Sequence, residues 1–160
     1  MISKQDLLQL FQKEFATSSR VLKAYPTDKD DFAPHERSSN AIKLASNFVF
    51  EMYLVEKYIF GEEIDASRFR TYRPDSVGSA AEDFAREASK VISRLEDLPE
   101  NELKKSVSFG GATFAADQFA LMLLFDQIHH RGQLSVYVRM AGGMVPSIYG
   151  PSADDRGTNL

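Results

Sequence analysis

The segment FALMLLFDQIHHRGQL, residues 119–134, combines an apolar run with two of the three histidines of the chain. Asp126 and His130 are four residues apart. On an α-helix their side chains would point about 40° apart and lie about 6 Å apart along the axis. Because the neighbouring residues are apolar, we expect Asp126 to be buried, where an unpaired carboxylate costs several kcal/mol. The segment therefore predicts a helix in which Asp126 has a partner.

Apolar residues at helical spacing predict four helices along the chain. These helices cover about residues 3–24, 39–60, 79–97 and 115–140. The stretch between the last two, with Gly110 and Gly111, predicts a loop with at most a short extended piece. Four helices of about 20 residues without a convincing strand predict an all-α four-helix bundle.

The C-terminal tail begins after Met140. It has three glycines and two prolines in its first eleven residues, AGGMVPSIYGP, and such a segment cannot continue a helix. We expect it to fold back irregularly over one end of the bundle.

Composition narrows the class of protein. A chain of 160 residues, 43% of them hydrophobic, suits one domain over residues 1–160. A net charge of -4 without a basic cluster argues against nucleic-acid binding. No apolar stretch is long enough to span a membrane or to form a signal peptide, so we expect a cytoplasmic protein. The lack of cysteine means that any metal must be held by nitrogen and oxygen atoms.

The pair Asp126 and His130 has two interpretations. In the first, the carboxylate accepts a hydrogen bond from the imidazole and the pair only fixes the register of the helices. In the second, the pair binds a divalent transition metal, because carboxylate and imidazole at this spacing form a two-point clamp in bundle cores. Two ligands are too few, so the metal interpretation requires a third from a neighbouring helix.

The second helix offers two candidates for that third ligand. Asn47 and Glu51 lie one helical turn apart, and either could face the pocket. Taken alone, an asparagine or a glutamate at such a position is more typical of a solvated surface than of a metal site. His35 is predicted to be a surface or packing residue. His129 points about 100° away from His130 and is expected at an adjacent helix, a subunit contact or the pocket rim.

The segment HHRGQLSVYVRMAGGMVPSIYGPSADD, residues 129–155, closely resembles the C-terminal signature of the DinB/YfiT-like family. A weaker similarity covers FAPHERSSNAIKLASNFVFEM, residues 32–52. The resemblance implies a four-helix bundle in up-down-down-up order, often as a homodimer. It also implies roles for the motif RGQ: Gly132 lets another helix come close, while Arg131 and Gln133 bond to the returning tail.

The resemblance also implies a metal site. Family members typically bind Zn²⁺ or Ni²⁺ through one histidine of the second helix and an H-x-x-x-H pair on the fourth. His130 matches the last of these, whereas Asp126 and Asn47 stand where the other two histidines are expected. The implied ligands are therefore Asn47, Asp126 and His130. Because an amide oxygen is a poor zinc ligand, harder ions such as Mn²⁺ or Mg²⁺ become more plausible.

Two functions follow from the resemblance. The first is a metal-dependent enzyme of the thiol transferase or hydrolase type, acting on a small molecule, with a low-molecular-weight thiol as a candidate cofactor. Glu51 or Tyr149 would then transfer protons or orient the substrate. The alternative is a degenerate, non-catalytic family member that binds a small molecule or serves as a scaffold.

Overall fold

The computed structural model describes residues 2–63, 67 and 71–155, and four long helices lie within these ranges. The helices are α1 (Lys4–Lys23), α2 (Ala41–Phe60), α3 (Val77–Asp97) and α4 (Ala116–Met140). Each begins and ends within two residues of its predicted bounds. None of these described helices combines the length and apolar character needed to cross a membrane.

The helices pack as a bundle. Both α1 and α2 pack extensively against α3 and against α4. Aromatic rings fill the centre, with Phe84 of α3 lying 5.8 Å from Phe15 of α1 and 5.7 Å from Phe48 of α2, centroid to centroid. The predicted all-α four-helix bundle is confirmed, while the up-down-down-up order stays a prediction.

The ends of α1 and α2 follow from local sequence. Ser3 Oγ accepts a hydrogen bond from the backbone N–H of Asp6, and Asn40 Oδ1 accepts one from Lys43. Both bonds satisfy a backbone donor that the first turn of a helix leaves without a partner. Gly61 ends α2 in the left-handed conformation, with φ at 71°. Asn40 and Gly61 thus define the two ends of α2, the helix that carries Asn47 and Glu51.

The connection between α3 and α4 differs from its prediction. A 3₁₀ helix (Glu100–Lys104) is followed by β1 (Ser106–Phe109) and β2 (Ala112–Ala115), which pair antiparallel. Gly110 and Gly111 form the turn with φ values of 59° and 83°. Two consecutive positive φ angles produce a two-residue hairpin turn, so the loop prediction was wrong for this segment.

The tail returns over the bundle, as predicted. The Tyr149 hydroxyl donates a hydrogen bond to Glu14 Oε2 of α1 at 2.8 Å, and Asp154 Oδ2 accepts one from Arg139 of α4 at the same distance. Gly143 lies so close to the end of α1 that an added Cβ would be 2.8 Å from the carbonyl oxygen of Ala24. The tail is therefore fixed by polar contacts to α1 and α4 and by a close backbone approach.

Candidate metal centre

Three side chains from α2 and α4 converge on one point. One potential ligand atom from each of Glu51, Asp126 and His130 lies within 4.8 Å of the other two. His130 Nε2 is 3.7 Å from Glu51 Oε1 and 3.6 Å from Asp126 Oδ2. The amide nitrogen of Asn47 lies 3.4 Å from the same imidazole nitrogen. We call Glu51, Asp126 and His130 the acid-histidine cluster.

The helices themselves produce this arrangement. Asn47 and Glu51 are one turn apart on α2, and Asp126 and His130 are one turn apart on α4, so each pair projects from one side of its helix. Because α2 packs against α4, the two pairs meet across that contact. Asn47 and Asp126 both lie beside His130, while their predicted role as metal ligands stays a prediction.

Glu51 is the buried carboxyl group of the cluster. Only 2% of its surface is exposed, and neither carboxylate oxygen forms a hydrogen bond with any residue that the structure describes. Burial, and then the charge of Asp126, raise the pKa of the Glu51 carboxyl well above its ordinary value. The side chain of Gln127 lies close enough to lower the pKa of Glu51 in part. Its Nε2 atom, like the two Glu51 oxygens, forms no hydrogen bond of normal geometry with the described residues. The prediction of a solvated surface position for Glu51 was therefore wrong.

Asp126 is at the solvent side of the cluster. Its side chain is 57% exposed, so the expectation of a buried carboxylate at this position was wrong. The preceding Phe125 is also exposed, which shows that α4 presents this part of its apolar segment to solvent. Asp126 nevertheless faces His130, and it leaves the cluster accessible from outside.

Gln133 fixes the orientation of His130. Its Nε2 lies 2.8 Å from His129 Nε2 and its Oε1 lies 3.3 Å from His130 Nδ1. An amide oxygen only accepts hydrogen bonds, so this pattern assigns the proton of the neutral His130 ring to Nδ1. The lone pair of Nε2 then points to the cluster and accepts from Asn47. A neutral imidazole held through its other nitrogen is the usual form of a histidine metal ligand.

Other residues singled out in the sequence lie elsewhere. Tyr149 bonds to Glu14 and Arg131, and the structure does not bring it into the acid-histidine cluster. Its predicted role stays a prediction. His35 is exposed and accepts a hydrogen bond from the backbone N–H of Arg37, which confirms a surface position.

The motif RGQ agrees with its prediction at Arg131 and differs from it at Gly132 and Gln133. Arg131 does bond to the tail, through the Tyr149 hydroxyl. Gln133 bonds to the two histidines instead of the tail. Gly132 is exposed, and a Cβ added there would meet nothing within 4 Å, so the predicted close approach of another helix of the same chain was wrong.

The chemistry of the cluster fits a divalent cation. It offers carboxylate oxygens from two side chains and one imidazole lone pair, which are ligand types for Zn²⁺, Ni²⁺ and Mn²⁺. The two buried oxygens of Glu51 have no other partner among the described residues. A cation at this point would give these oxygens the partner that the described residues do not provide.

Comparison with known sequences identifies the family of the chain. The sequence profile of the DinB family matches residues 1–158. The chain belongs to the DinB family. A relative of this DinB protein is the uncharacterized protein YrdA of Bacillus subtilis (strain 168), which is 29% identical over 83 residues. That match covers 51% of this chain and 50% of YrdA, so the chain spans about half the length of this relative.

Two solved structures share the fold. A DinB-like protein from Bacillus cereus ATCC 10987 superimposes with a TM-score of 0.80 at 20% identity, over 91% of this chain and 97% of that one. The DinB-like protein YjoA from Bacillus subtilis gives a TM-score of 0.68 at 20% identity, over 85% and 92% of the two chains. At these identities the likeness establishes the bundle and carries no information on the reaction.

Sequence reasoning missed the role of Gln133 and the burial of Glu51. A usable signal existed for Gln133, which follows His130 by three residues and so lies on the same side of the helix. For Glu51 the spacing from Asn47 was noticed, but the burial depends on how α2 and α4 pack, which the periodicity of one helix does not contain.

Proposed function

We propose that this DinB-family protein is a metal-dependent enzyme whose divalent ion is held by Glu51, Asp126 and His130. The observation that supports the proposal is the buried Glu51 carboxylate, whose oxygens have no hydrogen-bond partner among the described residues and face the lone pair of His130. A buried carboxylate without a partner is strongly unfavourable. Such groups concentrate at sites where a ligand provides the missing interaction.

The residues around the ion would divide the work. When bound, a divalent ion acts as a Lewis acid and lowers the pKa of a coordinated water or thiol. Glu51 holds the inner side of the site and Asp126 the outer side, where a small-molecule substrate can approach. Asn47 donates to His130 as it stands, and it becomes a further ligand only through its Oδ1 atom.

The ligand set also bears on the identity of the ion. Two carboxylates and one imidazole are harder ligands than three imidazoles, so Mn²⁺ is favoured relative to a site of histidines alone, with Zn²⁺ and Ni²⁺ still compatible. We infer a reaction of the thiol transferase or hydrolase type. In the first case the thiol must be a low-molecular-weight cofactor, because the chain has no cysteine.

Metal analysis tests the proposal. Purified untagged protein is loaded separately with Zn²⁺, Ni²⁺ and Mn²⁺, dialysed, and measured by inductively coupled plasma mass spectrometry. We expect about one ion per chain for the wild type, loss of the ion in His130→Gln, and retention in His35→Gln, a matched change at an exposed histidine outside the cluster. A wild-type protein that retains none of the three ions would overturn the proposal and favour the non-catalytic alternative.

We further propose that two copies of the chain associate through the exposed side of α4. Phe125, Val136 and Met140 are each more than half exposed, and with Gly132 they lie within about 80° of one another around the helix. Phe125 lies seven residues before Gly132, and Val136 and Met140 lie four and eight residues after it. Two α4 helices crossing antiparallel at this glycine would therefore cover both apolar surfaces at once.

Light scattering coupled to gel filtration tests this association. We expect a dimer for the wild type and a monomer for Val136→Glu/Met140→Glu, with unchanged metal content in both. Ser93→Glu/Ser89→Glu is the matched control, because these exposed positions lie on α3. A monomeric wild type at micromolar concentration would contradict the proposal.

A further inference from the structure

A cleft adjoins the acid-histidine cluster at Asn47. It has a volume of about 570 Å³ and runs between α2 and residues 72–74, the segment that precedes α3. Asn47 lines this cleft and also donates a hydrogen bond to His130 Nε2. A molecule in the cleft would thus have one end beside the cluster.

Aromatic residues give the cleft firm apolar walls. The rings of Tyr53 on α2 and Tyr72 meet edge to face at a centroid distance of 6.3 Å. The Tyr72 hydroxyl donates a hydrogen bond to Asp83 Oδ2 of α3 at 2.8 Å, which fixes the second wall to the bundle. Phe50, about a third exposed, lines the same cleft. The walls match the apolar body of a small molecule.

The charges in the cleft are of one sign. Of the residues that the structure describes, Lys43 and Arg73 line it and no aspartate or glutamate does, and neither cation forms an ion pair with any of these residues. Arg73 donates a hydrogen bond to the backbone oxygen of Tyr72. On α3, by contrast, Arg86 and Lys90 are each paired with a carboxylate. Two cations in one cleft, neither with a carboxylate partner among the described residues, stand out in a chain with a net charge of -4.

We propose that this cleft binds a small organic anion, a carboxylate or phosphate carried on an apolar or aromatic body, and that such anions are the substrate class of the metal centre. This second part rests on the proposed function. Lys43 and Arg73 bind the anionic group through charge-assisted hydrogen bonds, and Phe50 and Tyr53 contact the body. The reactive end then lies by Asn47, next to the cluster.

A matched pair of probes tests the charge preference. Binding of 2-naphthoate and of neutral 2-naphthamide is measured by fluorescence titration. We expect the wild type to bind the anion about tenfold or more tightly than the amide, and Lys43→Gln/Arg73→Gln to lose that preference, as one charge-assisted pair is worth about tenfold. Lys23→Gln/Lys29→Gln removes the same charge outside the cleft and should behave as wild type. Equal binding of the two probes, or no binding of either, would overturn the cleft.

A second measurement separates this inference from the proposed function. In protein loaded with Mn²⁺, the proton resonances of bound 2-naphthoate should broaden, because the paramagnetic ion lies close to the ligand. The variant His130→Gln, which we expect to bind no metal, should show no such broadening. Charge-dependent binding in a wild-type protein that takes up no ion would overturn the metal centre and the assignment of substrate class, but not the anion cleft. Metal uptake without any preference for the anion would overturn the cleft alone.

Discussion

Two glutamates of this protein are buried to nearly the same extent and have opposite surroundings. Glu14 on α1 is 3% exposed and Glu51 on α2 is 2% exposed, and they face consecutive residues of α4. Glu14 forms an ion pair with Arg131 at 2.7 Å and accepts a hydrogen bond from Tyr149 at 2.8 Å. Glu51 faces His130 at 3.7 Å and has no hydrogen bond to any described residue.

The comparison teaches that burial of a charge does not by itself indicate function. The group around Glu14 is satisfied, because the Arg131 guanidinium also donates to the Glu14 backbone oxygen and to Ser18. Such a pair fixes how α1, α4 and the tail fit together, although it is weak evidence for net stability. The group around Glu51 has no hydrogen-bond partner among the described residues, and the proposed metal ion would provide one.

The largest expected effect concerns the satisfied glutamate. Arg131→Met leaves the charge of Glu14 buried and unpaired, so we expect the free energy of unfolding to fall by about 3–5 kcal/mol. Urea denaturation followed by circular dichroism measures the loss. The double variant Glu14→Leu/Arg131→Met removes both charges and should recover most of the stability. A loss below about 1 kcal/mol in the single variant would show that Glu14 does not depend on Arg131 as its partner, and the contrast with Glu51 would then fail.

Replacing each glutamate by glutamine should affect different properties. Glu51→Gln removes a proposed metal ligand. Loss of a residue that only holds a ligand in place lowers metal affinity roughly 10- to 100-fold, and we expect a larger fall here. The stability of the metal-free protein should stay the same or rise by up to about 1 kcal/mol. Glu14→Gln should lower stability and leave metal affinity unchanged. Calorimetric titration and urea denaturation of both variants check the contrast, and parallel behaviour would contradict it.

Loss of the hydrogen bond between Gln133 and His130 should have a more moderate effect on metal affinity. Gln133→Leu removes the acceptor that holds Nδ1–H of His130, and we expect metal affinity to fall about 10- to 100-fold. Stability should change little, because Gln133 is exposed. Gln133→Glu keeps an acceptor at this position and should retain most of the affinity. Equal affinity of the leucine and glutamate variants would mean that Gln133 does not orient the ring.

The smallest expected effect is a pH dependence. Because burial raises the pKa of the Glu51 carboxyl, this group keeps its proton to a higher pH than an ordinary glutamate, and a binding ion must displace that proton. Metal affinity should therefore rise with pH, by up to about tenfold per unit, until Glu51 is ionised. Titration calorimetry in buffers of different ionisation enthalpy should detect proton release. No release from the wild type, or equal release from Glu51→Gln, would contradict the assignment.

The stability of the metal-free protein has the opposite trend. The folded state binds more protons than the unfolded state between the ordinary and the raised pKa of Glu51, so its contribution to the free energy of unfolding falls as pH rises through this window. Glu51→Gln should remove that decline. Glu14 is the matched position at which the same substitution should leave the decline in place.

The sequence predicted the helices because their information is local. The spacing of residues such as Leu44, Phe48 and Met52 defines the buried side of α2, and all three are buried. The hairpin was missed because its strands have four residues each, too few for a periodic signal, although the two glycines marked its turn.

The candidate site was predicted less completely, for a physical reason. The position of His130 and its distance to Asp126 follow from one helix, and the resemblance to the DinB family indicated Asn47. The burial of Glu51 and the exposure of Asp126 depend on the angle at which α2 and α4 pack. The pairing of Glu14 with Arg131 joins residues 117 positions apart in the chain. Periodicity within single helices contains neither kind of information.

The most direct test of the metal centre is a crystal structure of the wild-type protein grown with Mn²⁺ or Zn²⁺, with anomalous diffraction recorded above and below the absorption edge of the metal. The account predicts one anomalous peak per chain, within bonding distance of a Glu51 oxygen, an Asp126 oxygen and His130 Nε2. A structure without a peak there, with Glu51 hydrogen-bonded to protein groups as Glu14 is, would contradict it.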